Sequence, residues 1–489
     1  MQGGVSSSGA AAFLCKKANE MKNFDREFAT APMWPLMGKM ALPCVAAQLV
    51  NLLYSIVDRI YIGHIPDVGA DALAGVGVCS TVIILVSAFA QFVGGGGAPI
   101  ASIALGQGDR DRAGRILSQG MTLLILFTVL TMLPIYLFLR PILFAVGASP
   151  ATLPYAESYL SVYLVGTFFV MVNTGLAAFL NIQGRPALSM AAVSVGAGVN
   201  IVLDPILMFG AGMGVVGAAA ASVISQGISA GIILHSLFSP KAALRISAGR
   251  MKPERKIIQG MLALGVSPFV MTSTESLIGL VMNSGLRSFG DIYVSALTIM
   301  QSAMQMVSIP LQGFGQGASP VLSYNYGHGD RGRVRQGARV VMTVMASYNF
   351  ALFLFMILNP GLIARIFTSD PALIAVVRRV MPVFLLGMTI FGLQRACQNT
   401  FVALNQAKVS VFIALLRKVF LLVPLALILP HFFGVMGIYG AEAVADGTAA
   451  VICTLLFVRR FPRILAGMDS AAENEMDGAA ENEKEKAER

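Results

Sequence analysis

The chain has 489 residues, 56% of them hydrophobic and only 12% charged, with mean hydropathy +0.74 and net charge +10. A soluble domain carries about 25% charged residues, so most of this surface does not face water and a set of soluble cores joined by polar linkers is excluded. The positive charge does not mark a nucleic-acid binder, because the arginines and lysines sit in short loops between apolar runs, which is the pattern of membrane topology.

Residues 1–38 read as a cytoplasmic leader. The stretch 10–15 is too short for a signal-peptide core and is followed, not preceded, by Lys16 and Lys17; a start at Met21 would leave the same kind of leader. Twelve apolar segments follow, at 39–62, 72–104, 113–139, 155–181, 186–209, 214–238, 257–285, 293–322, 338–359, 374–404, 407–430 and 435–459. Each matches or exceeds the roughly 20 residues that span a bilayer, and the longest imply tilted or bent helices. Period-two alternation is absent, which argues against spanning strands. Residues 460–489 are rich in charge and are expected to be a disordered cytoplasmic tail. The five cysteines, Cys15, Cys44, Cys79, Cys397 and Cys453, show neither disulfide nor metal spacing, and His64, His235, His328 and His431 form no cluster.

Orientation follows from the loops. Arg110, Arg112 and Arg115 follow the second segment; Lys241, Arg245, Arg250, Lys252, Arg255 and Lys256 follow the sixth; Arg331, Arg333, Arg335 and Arg339 follow the eighth. The alternate loops are nearly bare, so even-numbered connections and both termini are expected in the cytoplasm, with the protein in a bacterial-type plasma membrane.

A repeat divides the chain. Pro99-Ile-Ala-Ser102 leads into Gly106-Gln-Gly108-Asp109-Arg110-Asp-Arg112, and Pro320-Val-Leu-Ser323 leads into Gly327-His-Gly329-Asp330-Arg331-Gly-Arg333, all at one offset. The glycine runs at 94–97 and 313–317 correspond, and Gly214-x-x-Gly217 is matched to Gly437-x-x-Gly440. Two six-helix halves result, 39–238 and 257–459, joined by a cytoplasmic loop at 239–256. Six is even, so both halves insert the same way, related by an axis along the membrane normal with a cavity between them.

Charges inside apolar segments are costly and call for a reason. Asp58, Asp204 and Glu275 each lie about 17–20 residues into an outward-running segment, roughly 25–30 Å along a helix. Asn200 and Asp204 share a face at i, i+4. An amide oxygen beside a carboxylate suits a dehydrated sodium ion or a carboxyl that exchanges a proton; the plainer alternative is a helix contact at Asn200 and a helix break at Asp204-Pro205. In the last two helices, Arg417 and Asp446 both fall near mid-membrane and read as a structural ion pair shared with Glu442. Met271, Met282, Met300, Met304 and Met306 accompany Gln301 and Gln305 in segments seven and eight, a combination that is either packing or a pliable substrate surface.

These residues resemble the multidrug and toxic compound extrusion (MATE) family, its MepA-like branch above all. The resemblance rests on Asn51-Leu-Leu-Tyr-Ser-Ile-Val-Asp58-Arg-Ile-Tyr-Ile-Gly63, on Asn200-Ile-Val-Leu-Asp204-Pro205 with Gly214-Val-Val-Gly217 after it, on 313–329 with Pro320 and Ser323-Tyr-Asn-Tyr-Gly327, and on Arg417 to Pro424. It implies an all-α integral membrane fold of twelve helices in a V-shaped pair of lobes. It also implies antiport of organic cations against protons or sodium, without a cofactor and with a monomer sufficient. Asp58, Asn200 and Asp204 would form the N-lobe cation site, with sodium as one occupant; Asn173 would join it, and Glu275 would lie in the C-lobe. Ala443 stands where relatives often have proline. A lipid-linked oligosaccharide flippase of the same superfamily is the rival; it needs a basic cavity, whereas the intramembrane acids predict an acidic one. A narrow metabolite exporter is a further alternative. An enzyme or channel is disfavoured, since no Ser/His arrangement and no carbonyl filter loop is visible.

Overall fold

The computed structural model describes residues 25–66, 68–240, 242–287 and 289–487; the side chains of 70, 275–281, 283–284, 287, 291 and 469–487 lie outside the description. Helices joined by short turns and loops make up the described residues, which contain no strand. Among the described residues, ten helices are long and apolar enough to cross a membrane, or twelve when each of two bent pairs counts as one span. The first half holds α1 (Met33–Gly63), α2 (Asp71–Gly106), α3 (Arg110–Leu137), α4 (Leu153–Val165 with Thr167–Asn181), α5 (Pro186–Gly210) and α6 (Gly214–Phe238). The second holds α7 (Arg255–Arg287), α8 (Asp291–Gly327), α9 (Arg331–Leu358), α10 (Pro371–Leu385 with Gly387–Ala403), α11 (Ala407–Phe433) and α12 (Val435–Ala487).

The two halves repeat their irregularities as well as their helices. The bends lie in α4 and α10, at 57° and 42°, and a short helix follows both α3 (Leu139–Ala145) and α9 (Pro360–Phe367). Asp109 and Asp330 cap the next helix in the same way, each accepting a backbone N–H three residues on, at 2.8 and 2.9 Å. Gly108 and Gly329 precede them at φ 79° and 80°, a conformation that favours glycine. Near the end of each half the correspondence differs from the sequence match. Gly214 (φ 53°) pairs with Gly434 (φ 56°), and Gly217 and Gly437 are the two glycines whose Cβ would run into the backbone of the preceding helix, at Leu207 and Leu429. The equivalent motif is therefore Gly434-x-x-Gly437, one turn earlier than Gly437-x-x-Gly440; a short spacing between glycines in apolar sequence does not fix its own register.

The lobes meet along seams of glycine. A Cβ at Gly106 would strike the Tyr324 carbonyl and one at Gly327 the Ile103 carbonyl, so α2 and α8 cross with backbones nearly touching. Gly313 and Gly317 of α8 press on Val45 and Ala41 of α1, while Gly96 and Gly265 bring α2 against α7. Ser102 donates across the α2–α8 crossing to the Pro320 carbonyl at 3.0 Å. All these contacts lie toward the end where the arginine-rich loops leave the bundle; at the other end the lobes part as a V.

Two connecting segments are more ordered than loops need be. The leader is helical at 25–30, and Phe28, 1% exposed, lies edge-on to Tyr324 while its carbonyl accepts Arg333 Nη2 at 2.9 Å and Asn325 Nδ2 at 3.2 Å. Asp25 pairs with Arg110 of the other lobe. The inter-lobe segment is stitched to α3: Ser247 N donates to Ser118 Oγ at 3.2 Å, Thr122 Oγ1 to the Met251 carbonyl at 3.0 Å, and Gln119 and Glu254 bond reciprocally. Where a disordered tail was expected from 460, α12 continues to Ala487, an extension consistent with a stretch rich in Ala, Glu and Lys, all good helix formers. Residues 1–24 of the expected leader lie outside the described residues.

The seam yields a test. Ser102 is fully buried, so Ser102→Cys is expected to resist a membrane-impermeant maleimide, and adding Gly327→Leu, which wedges a side chain into Ile103, is expected to expose it. Equal labelling of both variants would show that the crossing does not depend on the glycine.

Candidate functional site

A cavity of about 760 Å³ lies between the lobes, above the seam. Its floor is crossed by a bond from Gln48 Nε2 on α1 to Gln316 Oε1 on α8, 3.1 Å long. The N-lobe wall carries Asp58, Asn173 and Asn200 from three different helices; the C-lobe wall carries Gln305, Gln312, Arg395, Gln398 and Asn399.

On α5, Asn200 and Asp204 are 1% and 0% exposed, and Asn200 Nδ2 donates to Asp204 Oδ1 at 3.2 Å. Asp204 sits behind Asn200 rather than on the cavity surface. Pro205 follows, and since proline cannot supply an N–H to the helix ladder, the turn beyond it widens into a π-helix over Ile206–Gly210. On α4, Asn173 Nδ2 donates to the Gln226 carbonyl at 3.1 Å and to its side-chain oxygen, and Gln226 Nε2 reaches Tyr54 Oη at 3.5 Å. Tyr54 stands one turn before Asp58, which is 9% exposed. This network consumes donors and leaves acceptors over. Asp58 Oδ1, Asn173 Oδ1, Asn200 Oδ1 and Asp204 Oδ2 are all buried without a hydrogen-bond partner. Unpaired buried acceptors are costly, and a donor set of two carboxylates and two amide oxygens fits a proton or a hard cation such as sodium.

Of the residues singled out in α8, Gln305 lines the cavity, while Gln301 is half-buried outside the lining. Met300 is wholly buried and Met304 packs against the core, so this pair faces helix neighbours, not the cavity. The side chain of Glu275 lies outside the described residues. Among the described lining residues the charged side chains are Asp58 and Arg59 on the N-lobe wall and Arg395 on the C-lobe wall. Tyr54, Gln226 and Arg395 were missed. For Arg395 a signal existed in the polar cluster Gln394, Arg395, Gln398 and Asn399, which puts four polar side chains on two adjoining helix faces.

Away from the cavity, Arg417 and Asp446 form a buried two-pronged pair, with Arg417 Nη2 at 3.1 Å from Asp446 Oδ2 and 3.4 Å from Glu442 Oε1. The Arg417 guanidinium also lies 4.1 Å from the Phe391 ring centroid, a cation–π contact. It stands in a π-helix, Leu416–Leu422. α12 passes Ala443 without a proline, and the Gly387 bend of α10 nests against the Ala443 backbone. Arg417→Met strands two carboxylates and is expected to cost about 3–5 kcal/mol, read as lost thermal stability in detergent, with Asp446→Leu in the same chain restoring part of it. Destabilisation that the second change deepens would show that the pair is not the stabilising unit.

With this geometry in hand, comparison with known proteins gives a consistent picture. The sequence model of the MatE family matches residues 43–206 and 268–428, once in each half. The multidrug export protein MepA of Staphylococcus haemolyticus is 25% identical over 92% of this chain and 98% of its own length; that of Staphylococcus aureus is 23% identical over 88% and 94%. Among solved structures, one described as the outward-facing conformation of a multidrug resistance MATE family transporter of the MOP superfamily aligns with TM-score 0.83 at 21% identity, covering 90% of this chain and 98% of that one. A MOP superfamily transporter from Pyrococcus furiosus, whose description notes a binding pocket of reverse polarity and a different function, aligns with TM-score 0.83 at 20% identity over 90% and 98%.

Proposed function

The chain belongs to the MatE family of membrane transporters, and we propose that it exports cationic amphiphilic compounds in exchange for protons or sodium ions. The observation that carries this reading is the group of four buried, unpartnered oxygens on α1, α4 and α5. A cation placed there satisfies acceptors that nothing else in the described structure satisfies. The relatives named as multidrug export proteins support the substrate class, and about 760 Å³ lies within the range of pockets that take drug-sized ligands.

Exchange follows from competition for one recess. A proton or sodium ion neutralises the Asp58–Asp204 region and leaves nothing to attract a cationic ligand; a bound organic cation disfavours the ion in turn. The glycine seams let the two lobes rock as units. By the positive-inside rule the closed end is cytoplasmic, so this conformation opens outward and both termini lie inside. No step breaks a bond in the cargo and none calls for a cofactor; a monomer encloses the whole cavity.

The test is ethidium efflux from cells expressing the wild-type chain or Asp204→Asn, with the proton gradient collapsed and sodium omitted in separate arms. Gradient-driven efflux that falls at least about tenfold in the variant, at matched membrane expression, is the expected result, and the arm that stops the wild type identifies the ion. A sodium site predicts in addition that sodium raises the wild type's thermal midpoint through binding to the folded state, and that Asp204→Asn abolishes the rise. Accumulation equal to that of empty-vector cells would move a lipid-linked oligosaccharide flippase or a narrow metabolite exporter into first place.

A further inference from the structure

The cavity between the lobes extends into the N-lobe itself. Its lining includes Ser222, Ser225 and Ser229 of α6, Ser189 of α5 and Asn181 of α4, all of them buried. Since α6 packs on α4 and α5, the part of the cavity that it lines lies within the lobe. The three α6 serines are spaced three and four residues apart and share one face, and Gln226, which holds Asn173, stands among them. Ser189 precedes Asn200 on α5 by eleven residues, so it lies roughly 17 Å closer to the arginine-rich loops. It is the fourth residue of α5, and Asn181 is the last of α4. The lining thus runs from the level of the buried acceptors almost to the cytoplasmic ends of both helices. Two bonds stand beyond it. Arg185 Nη1 donates to Ser236 Oγ at 3.1 Å, two turns past Ser229 on α6, and the Leu244 N–H of the inter-lobe segment donates to Gln183 Oε1 at 3.0 Å.

Serines by themselves would signal little, because a helical serine can return its hydroxyl to its own backbone, as Ser225 does to the Ala221 carbonyl at 2.6 Å. Asn181 is the informative member. It is 4% exposed, it lines the cavity, and its Oδ1 is buried without a hydrogen-bond partner. An amide oxygen left unpaired in a lobe surrounded by lipid is costly. The same pattern occurs at the other end of the line, where Asn173 Oδ1 and Asn200 Oδ1 are also unpartnered. Hydroxyl and amide oxygens are ligands for a hard monovalent cation, or for water that relays a proton.

We infer that the coupling ion has a second station at Asn181 and Ser189, and that it leaves for the cytoplasm through the N-lobe, along the serine face of α6, instead of through the opening between the lobes. This rests on the export reading above and adds a route to it. The Arg185–Ser236 and Gln183–Leu244 bonds close the inner end in the present conformation, and they part when the ion passes. Cargo and ion then do not share a doorway on the cytoplasmic side: the cargo enters between the lobes, and the ion departs within one of them.

The test separates ion release from cargo movement. Proteoliposomes holding the full-length wild type, Asn181→Leu, Ser189→Leu, Ser229→Leu or Ser229→Thr are compared in two assays. One follows ethidium transport driven by a proton or sodium gradient. The other follows exchange of radiolabelled for unlabelled ethidium with the ions equal on both sides, which needs the lobes to rock but no net passage of the ion. The leucine variants put an apolar side chain in the ion's path and are expected to lose about tenfold or more in the driven assay, while their exchange stays close to wild type. Ser229→Thr keeps the hydroxyl and should retain driven transport. Preserved exchange certifies that a variant is folded and that its lobes move. Driven transport at the wild-type rate in all three leucine variants would overturn the inference, as would equal loss in both assays, which would assign these residues to the movement of the lobe. A wild type without gradient-driven transport would overturn the export reading itself.

Discussion

A backbone that crosses lipid can satisfy its polar groups only against other protein atoms, and this constraint bears on the three places where the helices of this chain widen into π-turns. The π-turn at Phe92–Gly97 lies where α2 is pressed into α7 by Gly96 and Gly265. The second follows Asp204 and Pro205, and the third contains Arg417. Each π-turn thus lies either at the glycine seam between lobes or beside a buried charge; the two beside charges turn one side to neighbouring protein, at Met208 or at Arg417 and Leu422, and the other outward, at Ile206, Phe209 and Phe420.

From one duplicated frame the two lobes have taken opposite electrostatic courses. In the N-lobe, Asn200 and Gln226 orient their partners but leave oxygens over, and Asp58 Oδ1 and Asp204 Oδ2 are buried without a hydrogen-bond partner. In the C-lobe, Arg417 is saturated by Asp446 and Glu442 and braced by Phe391. A buried charge pair of this kind stabilises little relative to an apolar replacement, yet is expensive to break, which suits a part that must stay rigid. An exchangeable ion needs the reverse, a set of acceptors that is incomplete without it. On the proposed reading, ion exchange belongs to the N-lobe, and the Arg417 cluster serves as fixed framework in the C-lobe.

The features legible in the sequence were those that are expensive in a membrane. Asp58, Asp204, Arg417 and Asp446 stood out because charge in an apolar run needs a reason, and the i, i+4 spacing correctly joined Asn200 to Asp204. The repeat was legible because its loop needs glycine at a positive φ and an aspartate cap at fixed separation. What escaped detection was cheap. Gln226 and Tyr54 cost too little in an apolar helix to be noticed, although they orient Asn173. Met300 and Met304 were drawn toward the cavity because a helix that is apolar all round gives no sign of which face meets which neighbour. The leader at 25–30 carries no periodicity long enough to predict its docking, which depends on Phe28 finding Tyr324 and Arg333 almost three hundred residues later.

Glycine explains why such an assembly can move at all. At Gly106, Gly327, Gly313 and Gly317 the lobes approach without side chains between them, so the seam has no interlocked rotamers to repack when one lobe tilts against the other. Close backbone approach supplies dispersion contact without interdigitation. Two directional contacts that join the lobes, Ser102 to Pro320 and Gln48 to Gln316, are polar bonds that water can replace as the seam opens. A seam of leucines at the same positions would bury more area but would lock one state. The small residues trade binding energy between the lobes for reversibility, and a carrier that must visit both sides of a membrane requires that reversibility.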